Sequence, residues 1–269
     1  MHPVTFRNPF DRTSQPPHIV ALIPARYDST RFPGKPLAEL AGRPMIEHVY
    51  RRAAAAQSVD AVVVATDDAR IATAVERFGG VARLTRSTHR SGTDRLAEVA
   101  EDLACDIVIN VQGDEPLVDP RTLDELVAPL ESDPSLKMST VRRRIVDRED
   151  YTNPHVVKVV VDADGHALYF SRSPIPFVRA SAAASASGSP SPEPVFKHLG
   201  LYAYRRSFLL AFARLQPTPL EMAESLEQLR ALEHGFRIRT VETEHDSVGV
   251  DTPEDLERAR RLMTADART

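Results

Sequence analysis

The stretch HIVALIPAR, residues 18–26, decides the fold. Residues 19–23 are apolar at every position, the run stops at Pro24, and a polar loop follows over 26–36. A short run of this kind predicts a buried strand. A helix with Pro44 near its start comes next, carrying Ile46, Val49, Tyr50 and Ala53 on one face. AVVVATDD, residues 61–68, predicts a second buried strand that ends on Asp67 and Asp68. A helix over 69–78 closes at Gly79 and Gly80. A third strand over 81–84 leads into the loop THRSGTDR (88–95) and a helix over 96–103. IVINVQGDEP, residues 107–116, is the fourth strand and runs straight into Gln112, Gly113 and Asp114.

Strands alternating with helices at this spacing predict an α/β fold, a Rossmann-like, mostly parallel sheet with helices on both faces. Ligands of such sheets bind beyond the carboxyl ends of the strands. Three segments are therefore expected to converge there: 26–35, 91–95 and 112–115.

From about residue 138 the pattern changes. MSTVRRR, VVKVVVD, HALYFSR and KHLGLYAY are strand-like, with a D-A-D-G turn at 162–165. They predict a smaller antiparallel layer extending the sheet. SAAASASGSPSPEP, within 180–194, is low in complexity and is expected to be a flexible loop. Good helix formers predict one helix over 220–234, closed by Gly235. A strand over 248–250 is expected to lead into Asp251. There Thr252 suits an N-cap and Pro253 the first helical turn, and Leu256, Ala259 and Met263 share a helical face. The organisation expected is a loose extension over 1–17, one domain over 18–263 and a tail over 264–269.

Composition narrows the function. The chain has 269 residues and a formal net charge of −4, so the bulk field favours neither nucleic acid nor an anionic membrane as partner. A single cysteine, Cys105, excludes an internal disulfide and a C-x-x-C metal site; it is expected to be a small buried residue in a reducing compartment. No apolar run reaches the roughly 20 residues that span a bilayer. The N-terminus lacks the apolar stretch of a secretory signal. A cytoplasmic location, with no membrane insertion, is the expectation.

The loop over 25–36 concentrates Arg26, Arg31 and Lys35 with two hydroxyls and Gly34, a set suited to a triphosphate. G-x-x-x-x-G-K-[ST] and G-x-G-x-x-G are both absent, which excludes a Walker loop and a dinucleotide fingerprint. Ser91, Gly92 and Arg95 form a second polar loop, with Thr93 or Asp94 as helix cap. Asp114, at the end of a buried strand, is costly unless paired, solvated or holding a cation. With Asp251 it makes the carboxylate pair that magnesium uses beside substrate phosphates. In the second half, Lys158, Arg172, Lys197, His198 and Tyr202 join Glu224 and Gln228. His198 and Tyr202 are i, i+4 in a strand, hence on one face, and Glu224 and Gln228 share a helix face. Together they suit a polyhydroxylated acid.

IPARYDSTRFPGKPL, HRSGTDRLAE, NVQGDEP, NPHVVKVV, LYFSRSPIP, KHLGLYAYR, ESLEQLR and GVDTPEDLERAR stand in this order. The set resembles the 3-deoxy-manno-octulosonate (Kdo) cytidylyltransferase family over roughly 19–263. CMP-sialic acid synthetases share the opening loop more loosely. The resemblance implies a nucleotide-diphospho-sugar transferase type of fold, a homodimer with its interface near 138–205, and the reaction of CTP with Kdo to give CMP-Kdo and pyrophosphate for lipopolysaccharide biosynthesis. It also implies Mg2+ on Asp114 and Asp251. Arg26 and Lys35 would bind the triphosphate, and Ser91, Gly92, Arg95 and Gln112 would line the nucleotide site. Arg172, His198, Tyr202, Glu224 and Gln228 would face the sugar acid, with Glu227 as the alternative to Glu224. The chemistry implied is attack of the anomeric hydroxyl on the α-phosphorus.

Overall fold

The computed structural model describes residues 6–11, 15, 18–28, 32–178 and 195–266, the last three as helix backbone alone. Its centre is β1, Ile19–Ala25. Ile19, Ala21, Ile23 and Ala25 are buried on one face of the sheet, and Val20 and Leu22 on the other. That two-sided burial is why the sequence is apolar without alternation. The strand runs on through Pro24, which pairs with Ala65 on one side only. Leu22 faces the other neighbour, accepting from Val111 N–H at 3.0 Å, and pairing on that side ends at Leu22. Pro24, two residues on, points its missing N–H into the same gap, where no ladder bond is lost.

After β1, a 3-10 turn (Lys35–Leu37) and a hairpin of β2 (Glu39–Leu40) and β3 (Arg43–Pro44) lead into α1 (Met45–Ala53). Then come β4 (Ala61–Thr66), α2 (Ala69–Arg77), β5 (Ala82–Leu84), α3 (Gly92–Glu101) and β6 (Ile107–Asn110). The chain continues through α4 (Pro120–Ser132), β7 (Met138–Arg144), α5 (Arg148–Thr152), β8 (Lys158–Val161) and β9 (Ala167–Ser171). It ends with β10 (Phe196–Arg205), α6 (Arg206–Phe212), α7 (Pro219–Glu224), α8 (Gln228–Glu233), β11 (Ile238–Glu242) and α9 (Pro253–Asp266).

The main sheet has the order β11-β7-β10-β6-β1-β4-β5, with β8 paired to β10 and β9. β1 pairs in parallel with β4 and β6; β10 is antiparallel to β6 and β7. The second-half strands therefore continue the first sheet. Residues of α1, α2 and α4 pack on one face and residues of α3, α6 and α8 on the other. The chain winds outward from β1 through β4 and β5, then returns to β6 on β1's other side. The order reverses between β1 and β6, and ligands of open α/β sheets bind in such a crevice.

Several expectations are corrected. The helix expected over 220–234 is two, α7 and α8, because Ser225 adopts the left-handed region (φ 52°) between them. Leu226 is buried there, and that burial outweighs local helix propensity. Glu224 and Gln228 thus do not share one helix face. The strand expected over 248–250 is absent; the strand in that part of the chain is β11, parallel to β7. Ser91, with Asp94 at the third position, caps α3 in place of Thr93 or Asp94. The extension is not loose throughout: the Phe6 ring lies 4.8 Å from that of Tyr50, and the Arg83 guanidinium lies 3.7 Å from the Phe10 ring centre. α9 carries on into the expected tail, to Asp266. Cys105 is partly buried, and burial pushes its thiol up to about 12. Residues 179–194, which take in the expected flexible loop, lie outside the described residues. No described helix is long and apolar enough to cross a membrane.

Candidate active site

The site is built at the β1–β6 crevice. Beyond β1 the chain turns back at Gly34, whose left-handed conformation (φ 72°) lets its N–H reach Tyr27 O at 2.8 Å. A side chain there would also press on the Tyr27 ring at 3.2 Å. The turn sends Lys35 inward. Its Nζ donates to Asp114 Oδ2 at 2.8 Å and to Asp251 Oδ1 at 3.1 Å, and its side chain is only 12% exposed. Residues 35, 114 and 251 are thereby joined at one ammonium. Asp251 comes from a loop held by main-chain contact, since Val250 N–H donates to Asp114 O at 2.8 Å. Val250 is buried with Leu40, Met45, Leu256 and Ala259. On Asp251's other side the Asp255 carboxylate accepts from the N–H groups of Asp251 and Thr252, and Asp255 N–H donates to the Thr252 hydroxyl as expected of a cap.

Gly113 makes the crevice possible. A Cβ there would lie 2.7 Å from Pro24 O, a backbone atom that cannot move alone. Gly113→Ala is expected to cost about 1–3 kcal/mol, the usual range for overpacking. It should also move Asp114 off Lys35, so turnover falls together with the melting temperature. A variant melting like the parent would show that the crevice relaxes freely.

Arg26 leaves β1 beside this centre. Its Nη2 is buried and, among the described residues, has no hydrogen-bond partner. A buried guanidinium N–H without a partner is costly, and it fits an anion that completes the site. Arg31 lies outside the described residues. Ser91 and Gly92 open α3, where a Cβ on Gly92 would meet the Pro24 ring at 3.4 Å. Arg95 is fully buried and bonded to Asp67 at 2.9 Å and to the Thr85 hydroxyl, so it ties the ends of β4 and α3 together.

A cavity of about 470 Å³ opens next to Asp114 in sequence, lined among others by Gln112, Glu115, His198, Tyr202 and Gln228. Gln112 Nε2 donates to Gly200 O at 2.8 Å. A bulge between Leu199 and Tyr202 shortens β10 here and brings the His198 and Tyr202 rings to 5.4 Å, on one face as expected. Burial holds the His198 imidazole down at about 3, so the ring is neutral at physiological pH. Burial also pushes the Glu115 carboxyl up to about 7, with Asp114 and Asp246 adding to the shift. Gln228 Nε2 is buried with no partner among the described residues.

Arg172 and Glu224 are brought to each other, and neither lines this cavity. Glu224 accepts from Ser171 Oγ at 2.6 Å and from Arg172 N–H at 2.9 Å, while Arg172 Nε donates to Glu224 O at 2.8 Å. Glu227 instead accepts from the Thr93 hydroxyl, linking α8 to the 91–95 loop, and its other oxygen, Oε1, faces the Arg230 guanidinium at 3.5 Å. Lys158 is spent on three carbonyls, of Asn153, Val156 and Arg172. Residue-by-residue reading missed Gly113, Val250 and Gly200. Gly200 did carry a signal, because an isolated glycine inside a strand pattern marks a bulge.

Asp114 and Asp251 fit a divalent cation: two carboxylates converge where the structure already places a positive charge, beside a group suited to phosphate. A cluster of Asp162, Asp164 and His166 lies at the β8–β9 turn, with Asp162 accepting from Arg237 at 3.1 Å.

Comparison with known proteins bears directly on this arrangement. A family profile described as "Cytidylyltransferase" matches residues 20–240. The chain is 57% identical over 242 residues to a 3-deoxy-manno-octulosonate cytidylyltransferase of Geobacter metallireducens, covering 89% of this chain and 95% of that protein. It is 56% identical over 250 residues to a protein of the same name from Pelobacter propionicus, covering 92% and 98%. A solved structure described as CMP:2-keto-3-deoxy-manno-octonic acid synthetase complexed with CTP superimposes with a TM-score of 0.85 at 46% identity, covering 93% of this chain and 99% of that one.

Proposed function

We infer the function from the premise that the chain belongs to the 3-deoxy-manno-octulosonate cytidylyltransferase family. It transfers CMP from CTP to Kdo and releases pyrophosphate. The observation that carries the chemistry is the Lys35 ammonium held by Asp114 and Asp251 in the β1–β6 crevice.

The obstacle to this reaction is charge, because an anionic sugar acid must approach a triphosphate. Lys35 and Arg26, whose buried Nη2 has no hydrogen-bond partner among the described residues, offset that charge on the protein's side. Asp114 and Asp251 would hold Mg2+, which when bound supplies Lewis-acid stabilisation and makes an oxygen in its shell more acidic. Ser91, Gly92 and Gln112 border the nucleotide side. His198, Tyr202 and Gln228 line the cavity where the sugar acid would sit, so its anomeric hydroxyl can face the α-phosphorus. Arg95, bonded to Asp67 and Thr85, and the Arg172–Glu224 pair, bonded to each other, then brace the walls from behind. Bringing the two reactants side by side converts a bimolecular attack into one between fixed neighbours.

The test is pyrophosphate release from CTP with Mg2+, comparing Kdo with sialic acid. Release with Kdo alone is expected; release with sialic acid alone, or with neither, overturns the reading. A homodimer is also proposed, in keeping with Val146, Leu168 and Phe177 exposed at 70%, 61% and 88% within the 138–205 region. A monomer in sedimentation equilibrium at micromolar concentration would contradict it.

A further inference from the structure

Thr140 lies in β7, fully buried, opposite the bulge of β10. Its Oγ1 is 2.7 Å from Leu201 O and 2.8 Å from His198 Nε2. A carbonyl oxygen only accepts, and a hydroxyl has one hydrogen to give. That hydrogen must go to Leu201 O. Oγ1 therefore meets His198 with a lone pair, and Nε2 must carry the hydrogen between them. A neutral imidazole protonated at Nε2 has a bare lone pair at Nδ1. Among the described residues, Nδ1 has no hydrogen-bond partner, and His198 lines the cavity with Gln112, Tyr202 and Gln228. The ring is gripped by Phe170, edge-on at 5.0 Å, and by Tyr202 at 5.4 Å, and His198 N–H is fixed to Val157 O at 2.8 Å. Turning the ring over would put a carbon against Thr140 and lose the bond.

We propose that Thr140 is a positioning residue that fixes His198 as the Nε2–H tautomer, so that Nδ1 accepts a hydrogen bond from a hydroxyl of the sugar acid. The consequence is one of specificity. A lone pair on a neutral ring repels a carboxylate and attracts a hydroxyl hydrogen, so His198 selects the polyhydroxylated part of the substrate and leaves the acid group to donors elsewhere. The substrate part of this proposal rests on the Kdo reading above; the tautomer does not.

The experiment pairs a spectrum with kinetics. Long-range 1H–15N correlation on the wild-type protein, with the His198 signals identified by their loss in His198→Asn, is expected to show the Nε2–H pattern; an Nδ1–H pattern overturns the proposal without any variant having to fold. Thr140→Val removes the hydroxyl at nearly constant volume. It should mix the tautomers and raise KM for Kdo about tenfold, the scale of one lost hydrogen bond, with KM for CTP unchanged. Thr140→Ser should restore both the spectrum and KM. An unchanged KM for Kdo in Thr140→Val, or an equal rise in both KM values, contradicts a role through His198. Wild-type protein with the Nε2–H pattern but no turnover of Kdo would count against the substrate reading and leave the tautomer standing.

Discussion

Asp114→Asn is expected to lower turnover with CTP and Kdo by about 10³, the scale of losing one well-placed electrostatic group. The change keeps the side chain's size and removes its charge. Asp114 is held in three ways: its carboxylate binds Lys35 at 2.8 Å, its carbonyl accepts from Val250 N–H, and it follows Gly113, which lies past the end of β6 against Pro24 of β1. Only the first depends on charge, so the fold and the Asp251 loop should stay in place and the melting temperature should move little. The loss should persist at saturating Mg2+, because filling the site with metal does not restore the carboxylate charge that stabilises the reaction there. A steady-state assay across a magnesium titration checks this. Recovery of near-parental turnover at high magnesium would show that Asp114 contributes affinity for the ion and nothing more.

Lys35→Met carries the second large effect, with two readouts that move in opposite directions. The lysine nitrogen lies between Asp114 and Asp251, where a cation would be held, so in the free protein it competes for that place. With CTP bound, the ammonium is expected to turn to the triphosphate. Methionine keeps the apolar stem and deletes the charge. Deleting the ammonium removes the positive charge that competes with a metal for the two carboxylates, so Mn2+ binding to the free variant, read by electron paramagnetic resonance, should tighten. Turnover should nevertheless fall by about 10² to 10³, because the triphosphate loses a cation that stabilises its developing charge. Weaker Mn2+ binding in the variant would mean that the lysine supports the metal site and does not compete with it.

Much of this centre was legible in the sequence for a definite reason. β1, β4 and β6 are buried on both faces, which leaves continuous apolar runs that stop where the chain meets solvent. Asp114 stands four residues past the end of β6 and Lys35 closes the loop that follows β1, and the doubly wound connection brings the two strand ends together. Asp251 was read as a strand end, yet a main-chain bond from Val250 N–H to Asp114 O, a small apolar cluster and the Asp255 carboxylate help to place it. No periodicity records such a bond. The break at Ser225 was hidden because residues 220–234 are mostly good helix formers, while the bend is favoured by burial of Leu226 and by the bond from the Thr93 hydroxyl to Glu227. α4 and α6 went unread, as did β11, whose alternation spans only five residues. Thr140 was invisible in isolation, since its role depends on a bulge in a strand more than 50 residues away.

Arg95 and Arg172 teach a related point. Both are cations within motifs, and both are held by neighbours of the same chain: Arg95 by Asp67 and Thr85, Arg172 by carbonyls and Glu224. Charge in a motif thus marks the site's region without naming the group that meets the ligand; at Arg26 and Gln228 the buried Nη2 and Nε2, which have no hydrogen-bond partner among the described residues, lie where a ligand would complete them.

The central claim is that the sugar's anomeric oxygen attacks the α-phosphorus of CTP in this crevice. Kdo carrying 18O at its anomeric oxygen, reacted with CTP and Mg2+ and followed by 31P NMR, tests it most directly. The label should appear in the bridge between sugar and phosphorus of CMP-Kdo, as an isotope shift on that one phosphorus, with none in pyrophosphate. Label in pyrophosphate, or a CMP-Kdo whose phosphorus shows no shift, would contradict the account.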